Sequence, residues 1–399
     1  MYTWATIRYP ETALQDVIFK ISIMKILSTI SRKPIYILLV AIPLAALAKY
    51  IGWGDIWVFV FSALAMIPMA GFIGEATETL AAFSGPRIGG LLNATLGNAA
   101  ELIITIVAIR EGLLELVKAS ITGSILGNVL LVLGMSMLLG GFRNGIQRFN
   151  RRQAGNNAIL LVLAVVALII PSVFSGSIGP AGSLEVEALS LGVATIMIIV
   201  YVLGVIYSLH TQSGPLTARP SVEVSYKADH AHAAVTQVQV AGRHPAWSLR
   251  KALFILGIST VGVVYLSELL IGSVEPVVTS LGISEFFVGI ILIPIIGNVA
   301  EHLVAVKVAI QDEMELSVEI AIASSLQIAL FVAPVLVFIS LLIGNPLLLI
   351  FNEFELLALI AAVLIAALVS MDGESNWLEG AALLAVYLIL ALAFFLLPL

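Results

Sequence analysis

Long apolar segments, separated by short polar loops, occupy most of the chain. A run of about 18 or more apolar residues is long enough to cross a bilayer as a helix. About eleven such spans are present, at residues 34–51, 56–83, 90–111, 115–140, 157–175, 186–209, 249–275, 283–311, 315–343, 353–371 and 375–398. The pattern predicts an all-α membrane protein with about 11 transmembrane helices.

The first span allows two interpretations. Lys25 and Arg32 precede a short apolar run that ends Ala46-Leu47-Ala48, which is the order of features in a cleaved signal peptide. The leading segment is long for a signal peptide, so a retained extra helix is favoured. Residues 17–30 could form an amphipathic helix on the membrane surface.

Composition supports the assignment to the membrane and excludes several other kinds of function and site. Of the residues, 60% are hydrophobic and 11% are charged, whereas a soluble domain carries about 25% charged residues. The chain has no cysteine, which excludes disulfides, thiolate metal sites and thiol catalysis. The net charge is −6 without a basic stripe, so nothing favours nucleic-acid binding.

Basic residues concentrate in particular loops. Those of the first half are Arg87, Arg143, Arg148, Arg151 and Arg152, and those in or beside the hydrophilic segment 210–248 are Arg219, Lys227, Arg243, Arg250 and Lys251. Because basic loops stay in the cytoplasm, the N-terminus and this linker are predicted to be cytoplasmic. With eleven spans in the cell membrane, the C-terminus is then outside.

A repeated motif relates the two halves of the chain. Gly97-Asn98-Ala99-Ala100-Glu101 reappears 200 residues later as Gly297-Asn298-Val299-Ala300-Glu301. Glu115-Leu116, Ser124 and Leu126 recur at the same offset as Glu315-Leu316, Ser324 and Leu326, without a gap. By the orientation that the basic loops predict, the helix with Glu101 runs from inside to outside and the helix with Glu301 from outside to inside. The halves are therefore predicted to be inverted-topology repeats of five helices, which meet at a substrate site in many transporters.

These repeats divide the chain into four parts. Residues 1–54 hold the N-terminal segment and extra helix, 55–209 the first repeat, 210–248 the linker and 249–399 the second repeat. His230 and His232 in the linker could bind a metal, although histidines in an exposed loop are more often unligated.

Glu101 and Glu301 carry the main functional signal. Each lies inside an apolar span, where an ionised carboxylate costs at least about 2.5 kcal/mol. Pairing with a buried base is the structural alternative, but the core spans hold almost no basic residues, and Lys307 lies close to a helix end. The missing partner is therefore predicted to be a cation, with both glutamates as metal ligands.

Neutral oxygen ligands are available at helical spacing around both glutamates. Asn98 and Glu101 are three residues apart and share a helix face, as do Asn298 and Glu301. The following spans add Ser124, Asn128, Ser324 and Gln327. Calcium prefers six to eight oxygen ligands, which this set can supply, although each amide or hydroxyl alone could serve ordinary helix–helix hydrogen bonding.

Longer motifs resemble the calcium/proton exchangers of the calcium/cation antiporter superfamily. Gly74-Glu75-Ala76-Thr77-Glu78-Thr79-Leu80, and then 85–94, run directly into the first Gly-Asn-Ala-Ala-Glu. In the second half, Glu301-His302 and the stretch from Ser324-Ser325 to Leu330 also match. The resemblance covers residues 55–398, nearly the whole chain.

This resemblance implies an antiporter that exports calcium in exchange for protons by alternating access, with ten core helices and a mobile pair formed by the first core helix of each half. It implies that Glu101 and Glu301 carry both ions and that Ser325 belongs to the binding motif. It places Glu78 at an acidic position of the first core helix, with Glu275 as its counterpart in the sixth. Apart from the resemblance, the position of His302 next to Glu301 would suit a proton relay or a cap on the cavity, although His302 could also have no direct role.

Other functions remain open at this point. A sodium/calcium exchanger is the nearest alternative, and manganese is another possible substrate. A cation channel would need no counter-ion. An enzyme is not expected, since no His-Glu-x-x-His spacing and no nucleophile–base pair is present. No catalytic residue or cofactor is predicted, calcium and protons being substrates, and the oligomeric state is not indicated.

Overall fold

A computed structural model describes residues 34–180, 182–211 and 247–397. The predicted amphipathic helix at residues 17–30 and the linker histidines His230 and His232 lie outside these described residues, so their structure is not addressed.

The described chain is almost entirely helical. The α-helices are α1 (Ala41–Ile51, preceded by a 3-10 helix at Pro34–Val40), α2 (Asp55–Leu96), α3 (Ala99–Arg110), α4 (Leu114–Leu126), α5 (Leu133–Asn144), α6 (Arg151–Ile178), α7 (Leu184–Thr211), α8 (Leu249–Ile271), α9 (Val274–Leu281), α10 (Glu285–Phe287), α11 (Ile293–Ile310), α12 (Met314–Gln327), α13 (Ala333–Ile343), α14 (Glu353–Val369) and α15 (Trp377–Phe395). Three π-helical segments, Gly127–Val132, Val288–Leu292 and Ile328–Val332, join α4 to α5, α10 to α11 and α12 to α13.

These helices form the eleven predicted spans. In the described residues, eight helical stretches are long and apolar enough to cross a membrane, and Ile35–Ile51 is a shorter apolar helix. The other two spans contain α3 and α14. The all-α prediction holds apart from two strands of two residues, β1 (Gln147–Arg148) and β2 (Glu374–Ser375), which pair antiparallel between distant loops. Nothing in the sequence pattern indicated this pairing.

The two halves pack in a mirrored arrangement. The long first helices of the repeats, α2 and α8, pack against each other, and each also contacts the motif helix of the other half, α11 and α3 respectively. Likewise α5 packs on α15 and α13 packs on α7. The same partnerships therefore occur twice. Because four spans lie between equivalent helices, these helices cross the membrane in opposite directions, and the repeats are inverted.

The helices are interrupted close to the repeated motif. In the first half, α2 bends at Gly85, whose φ of 77° favours glycine. The chain then breaks at Gly97 and Asn98 before α3 begins. In the second half, Pro294 follows a π-helical segment and the helix continues through Gly297 and Asn298. The two motifs are thus equivalent in sequence but differ in backbone, and interruptions of this kind occur where membrane helices line a cavity.

Candidate ion-binding site

Glu101 lies in the first turn of α3 and is 4% exposed. Its Oε1 atom accepts hydrogen bonds from the Ser124 hydroxyl of α4 and from the Asn298 side-chain amide of α11. Asn298 belongs to the other repeat, so the carboxylate of one half is held by an amide of the other. The Asn298 amide also lies 3.4 Å from the Ser124 hydroxyl.

Glu301 is half-buried and keeps one of the two contacts that Glu101 makes. The Ser324 hydroxyl donates a hydrogen bond to its Oε2 atom at 2.9 Å, just as Ser124 does to Glu101. Both serines follow their glutamate by 23 residues, as the repeat predicts. Ser124, which donates to Glu101, and Asn128, which donates to Ser324, are four residues apart on continuous helix, so the surroundings of the two carboxylates adjoin.

Two further hydrogen bonds cross between the repeats. The Asn98 amide donates to Gln327 Oε1 at 2.6 Å, and the Asn128 amide donates to the Ser324 hydroxyl at 3.0 Å. The predicted ligands thus form three hydrogen-bonded groups at the junction of the halves: Glu101 with Ser124 and Asn298, Glu301 with Ser324 and Asn128, and Asn98 with Gln327. These eight residues are called the polar cluster below.

The cluster is buried and contains acceptor oxygens without donors. Asn98, Asn298, Ser124 and Asn128 are 1–3% exposed. Among the described residues, Glu101 Oε2 and Asn98 Oδ1 are buried without any hydrogen-bond partner, and neither glutamate forms an ion pair. Buried polar oxygens nearly always have a partner. Glu101 Oε2 can therefore accept a proton or ligate a cation, and Asn98 Oδ1 can ligate a cation.

Gly297 is the residue that lets the two motif helices meet. A Cβ atom at this position would lie 3.0 Å from Glu101 Cγ, closer than ordinary van der Waals contact. The glycine of the second motif therefore makes room for the carboxylate of the first. This close approach is a physical reason for a glycine directly before Asn298 in the motif.

The remaining predicted residues lie outside this hydrogen-bonded cluster. Ser325 is fully buried, but its hydroxyl donates to the Ala321 carbonyl at 3.0 Å. His302 is half-buried beside Glu301, and its Nε2 atom is buried without a partner among the described residues. Glu78 is an exposed residue of α2. Glu275 is exposed in the first turn of α9, where its charge acts on Glu285, and the structure does not bring it to the cluster.

Sequence reasoning missed Glu268 of α8. Its Oε1 atom forms an ion pair at 3.0 Å with Arg110, which ends α3. Ser267-Glu268 parallels Thr77-Glu78 on α2, and both Thr77 and Ser267 are fully buried. A hydroxyl residue directly followed by glutamate is the sequence signal that could have drawn attention to Glu268 as well as to Glu275.

One more buried carboxylate was missed, and it has a structural explanation. Glu355 is 1% exposed, and its Oε2 atom accepts a hydrogen bond at 2.8 Å from the backbone amide of Asn352. The Asn352 side chain in turn accepts from the Glu355 amide at 2.9 Å. This is a capping box that begins α14, so Glu355 is not assigned to the ion-binding cluster.

Fold and site together define a polytopic membrane protein with two inverted repeats around a pair of carboxylates, of which Glu101 is buried and Glu301 half-buried. The family model described as "Sodium/calcium exchanger protein" matches residues 54–210 and 251–396. The chain belongs to this family, and within it to the calcium/proton exchangers of the calcium/cation antiporter superfamily.

Relatives and solved structures agree. A Ca(2+)/H(+) antiporter of Synechocystis is 44% identical over 91% of this chain and 97% of its own. The Ca(2+)/H(+) antiporter ChaA of Bacillus subtilis is 43% identical over 91% and 99%. The structure of native YfkE superposes with a TM-score of 0.75 at 39% identity, over 91% of this chain and 99% of that one. The H+/Ca2+ exchanger CAX has the same fold, with a TM-score of 0.66 at 15% identity over 91% and 92%.

Proposed function

We propose that this protein is a secondary antiporter that exchanges calcium for protons and that Glu101 and Glu301 carry both ions in turn. The observation that supports this most strongly is the pair of carboxylates, one from each repeat, within a polar cluster in which Glu101 Oε2 and Asn98 Oδ1 have no hydrogen-bond partner among the described residues. The relatives named as Ca(2+)/H(+) antiporters supply the identity of the two ions.

The coupling follows from competition for the same oxygens. Burial makes an isolated carboxylate charge costly, and either a proton or a divalent cation removes that cost. A proton on Glu101 or Glu301 cancels the negative charge that holds calcium, and bound calcium disfavours protonation. Serine and amide oxygens of the cluster complete the coordination that calcium requires. Each ion therefore displaces the other without a further coupling device.

Access to the site is proposed to alternate by movement of the first helix of each repeat, α2 and α8. These helices pack on each other and on the motif helices, so their sliding would change which side of the site is open. Glu78 on α2 and Glu275, just after α8, would act during this movement or along the proton path. His302 would relay protons or close the cavity.

Direction follows from the proposed orientation, with the N-terminus and the linker 210–248 in the cytoplasm and the C-terminus outside. Calcium then binds from the cytoplasm, and protons arriving from outside release it. The net result is calcium export at the cell membrane, driven by the proton gradient.

Calcium uptake into everted membrane vesicles with an imposed pH gradient tests the proposal. The normal chain should take up calcium in proportion to the gradient. Glu101→Gln and Glu301→Gln should each abolish this uptake because they remove the charge that both ions need. Proton-driven uptake at the normal rate in either variant would refute the shared-carboxylate mechanism.

A sodium/calcium exchanger is the second candidate, because the matching family model carries that description. A sodium gradient at fixed pH should drive no calcium uptake by this chain. Robust sodium-driven uptake would replace the proton assignment, whereas uptake down a calcium gradient without any counter-ion would indicate a channel.

A further inference from the structure

We propose that Gln327 is a positioning residue of the polar cluster and not a calcium ligand. It holds the Asn98 side chain away from the start of its own helix, so that Asn98 Oδ1 and the Glu101 carboxylate stay available to calcium. This inference rests on the proposed function, because it concerns the same ion-binding site.

An asparagine followed three residues later by a glutamate can close a capping box at the start of a helix. The asparagine oxygen then accepts from the backbone amide of the glutamate, and the glutamate side chain accepts from the backbone amide of the asparagine. Two such pairs, Asn352 with Glu355 at the start of α14 and Asn376 with Glu379 at the start of α15, form the complete box in this chain. Local chemistry therefore favours a closed box where this spacing falls at a helix start.

Asn98 and Glu101 have the same spacing at the same helix positions, but their box is open. Asn98 directly precedes α3, and Glu101 is the third residue of that helix. The Asn98 side chain makes no capping hydrogen bond, and Asn98 Oδ1 and Glu101 Oε2 are buried without a partner among the described residues. A closed box would occupy Asn98 Oδ1 and one carboxylate oxygen of Glu101, and both would then be lost as ligands for calcium.

Gln327, the last residue of α12, holds Asn98 in the open arrangement. Its Oε1 atom accepts a hydrogen bond at 2.6 Å from the side-chain amide of Asn98, and Asn98 and Gln327 are 3% and 8% exposed. Because the nitrogen and oxygen of an asparagine amide point in different directions, a fixed acceptor for the nitrogen also fixes the direction of the oxygen. The bond from the other repeat therefore sets both the position of the Asn98 side chain and the direction of Oδ1.

The second motif does not need such a partner. Asn298 lies inside the continuous helix α11, where no helix start competes for its side chain, and its amide donates to Glu101. The residue 200 positions before Gln327 is Gly127, which has no side chain that could act as an acceptor. The acceptor is thus present only in the repeat that faces the helix start at Asn98.

Calcium binding to the full chain in detergent, measured by equilibrium dialysis of ⁴⁵Ca²⁺, tests this role. Gln327→Met removes the acceptor with little change in side-chain length, so the box should close and the calcium affinity should fall by about five- to tenfold, the factor that corresponds to one helix cap. The melting temperature without calcium should not fall, because the closed box caps α3. Gln311→Met, the same change on an exposed residue at the end of α11, should leave the calcium affinity unaltered.

Asn98→Asp distinguishes a positioning residue from a ligand. An aspartate has two oxygens, so one can cap α3 while the other still binds calcium, and Gln327→Met should then have little effect on calcium affinity. Gln327→Leu, a second apolar side chain without an acceptor, should give the same results as Gln327→Met and covers a misfit of methionine.

The proposal is overturned if both Gln327 variants bind calcium normally, if both lower the melting temperature, or if Gln327→Met weakens binding as much with Asp at residue 98 as with Asn. The last result would make Gln327 itself a ligand. Unchanged calcium binding in Glu101→Gln/Glu301→Gln would instead refute the proposed function, so the two failures are distinguishable.

Discussion

Adding one methyl group at Gly297 should impair calcium binding selectively. In the structure, the Cβ atom of Gly297→Ala would lie 3.0 Å from Glu101 Cγ. Ordinary carbon–carbon contacts begin near 3.5 Å, so the Glu101 side chain or the backbone of α11 must move by about half an ångström. Overpacking of this kind costs about 1–3 kcal/mol.

If this cost falls on the calcium-bound state, the apparent affinity decreases by about 5- to 150-fold, because each 1.4 kcal/mol is a factor of about ten. The assay is the calcium dependence of proton-driven uptake in vesicles, normalised to the amount of folded protein. Gly192→Ala is the matched control, because a Cβ at this exposed position of α7 meets nothing within 4 Å. Normal calcium dependence in Gly297→Ala, or equal impairment in the control, would refute the close-approach argument.

Three further predictions concern single contacts. Ser324→Ala removes the hydroxyl that holds Glu301, a charge-assisted bond worth about 1.5–3 kcal/mol, and should raise the calcium concentration for half-maximal uptake by about tenfold or more; an unchanged value would remove Ser324 from the site. Arg110→Glu and Glu268→Arg should each change the exchange rate by up to about fivefold, as an exposed ion pair allows, and the double charge swap should restore it. Glu355→Gln should lower the free energy of unfolding by about 1 kcal/mol because it weakens the helix cap, and the folded protein should keep its normal calcium affinity. A loss of calcium affinity would instead assign Glu355 to the binding site.

The sequence predicted the fold well because its signals are local and strong. The length of each apolar run indicates a membrane helix. The constant offset of 200 residues between the motifs of Glu101 and Glu301 showed which segments of the two halves are equivalent, without any spatial information. The same offset related Ser124 to Ser324, and the structure brings both serines to their glutamates.

Features that depend on contacts between distant residues could not be predicted in this way. The hydrogen bond from Asn98 to Gln327 breaks the symmetry of the motif, because the first repeat has Gly127 where the second has glutamine. The ion pair between Glu268 and Arg110 likewise depends on how α8 packs on α3, which hydropathy does not report.

Proton release during calcium binding tests the shared-carboxylate claim most directly. Calcium would be added to the purified protein in weakly buffered solution, and a pH-sensitive dye would report the protons displaced. We predict protons released with calcium binding at acidic pH, fewer at alkaline pH where the carboxylates are already ionised, and none from the transport site in Glu101→Gln/Glu301→Gln. Tight calcium binding by the normal chain at acidic pH without any proton release would contradict the account.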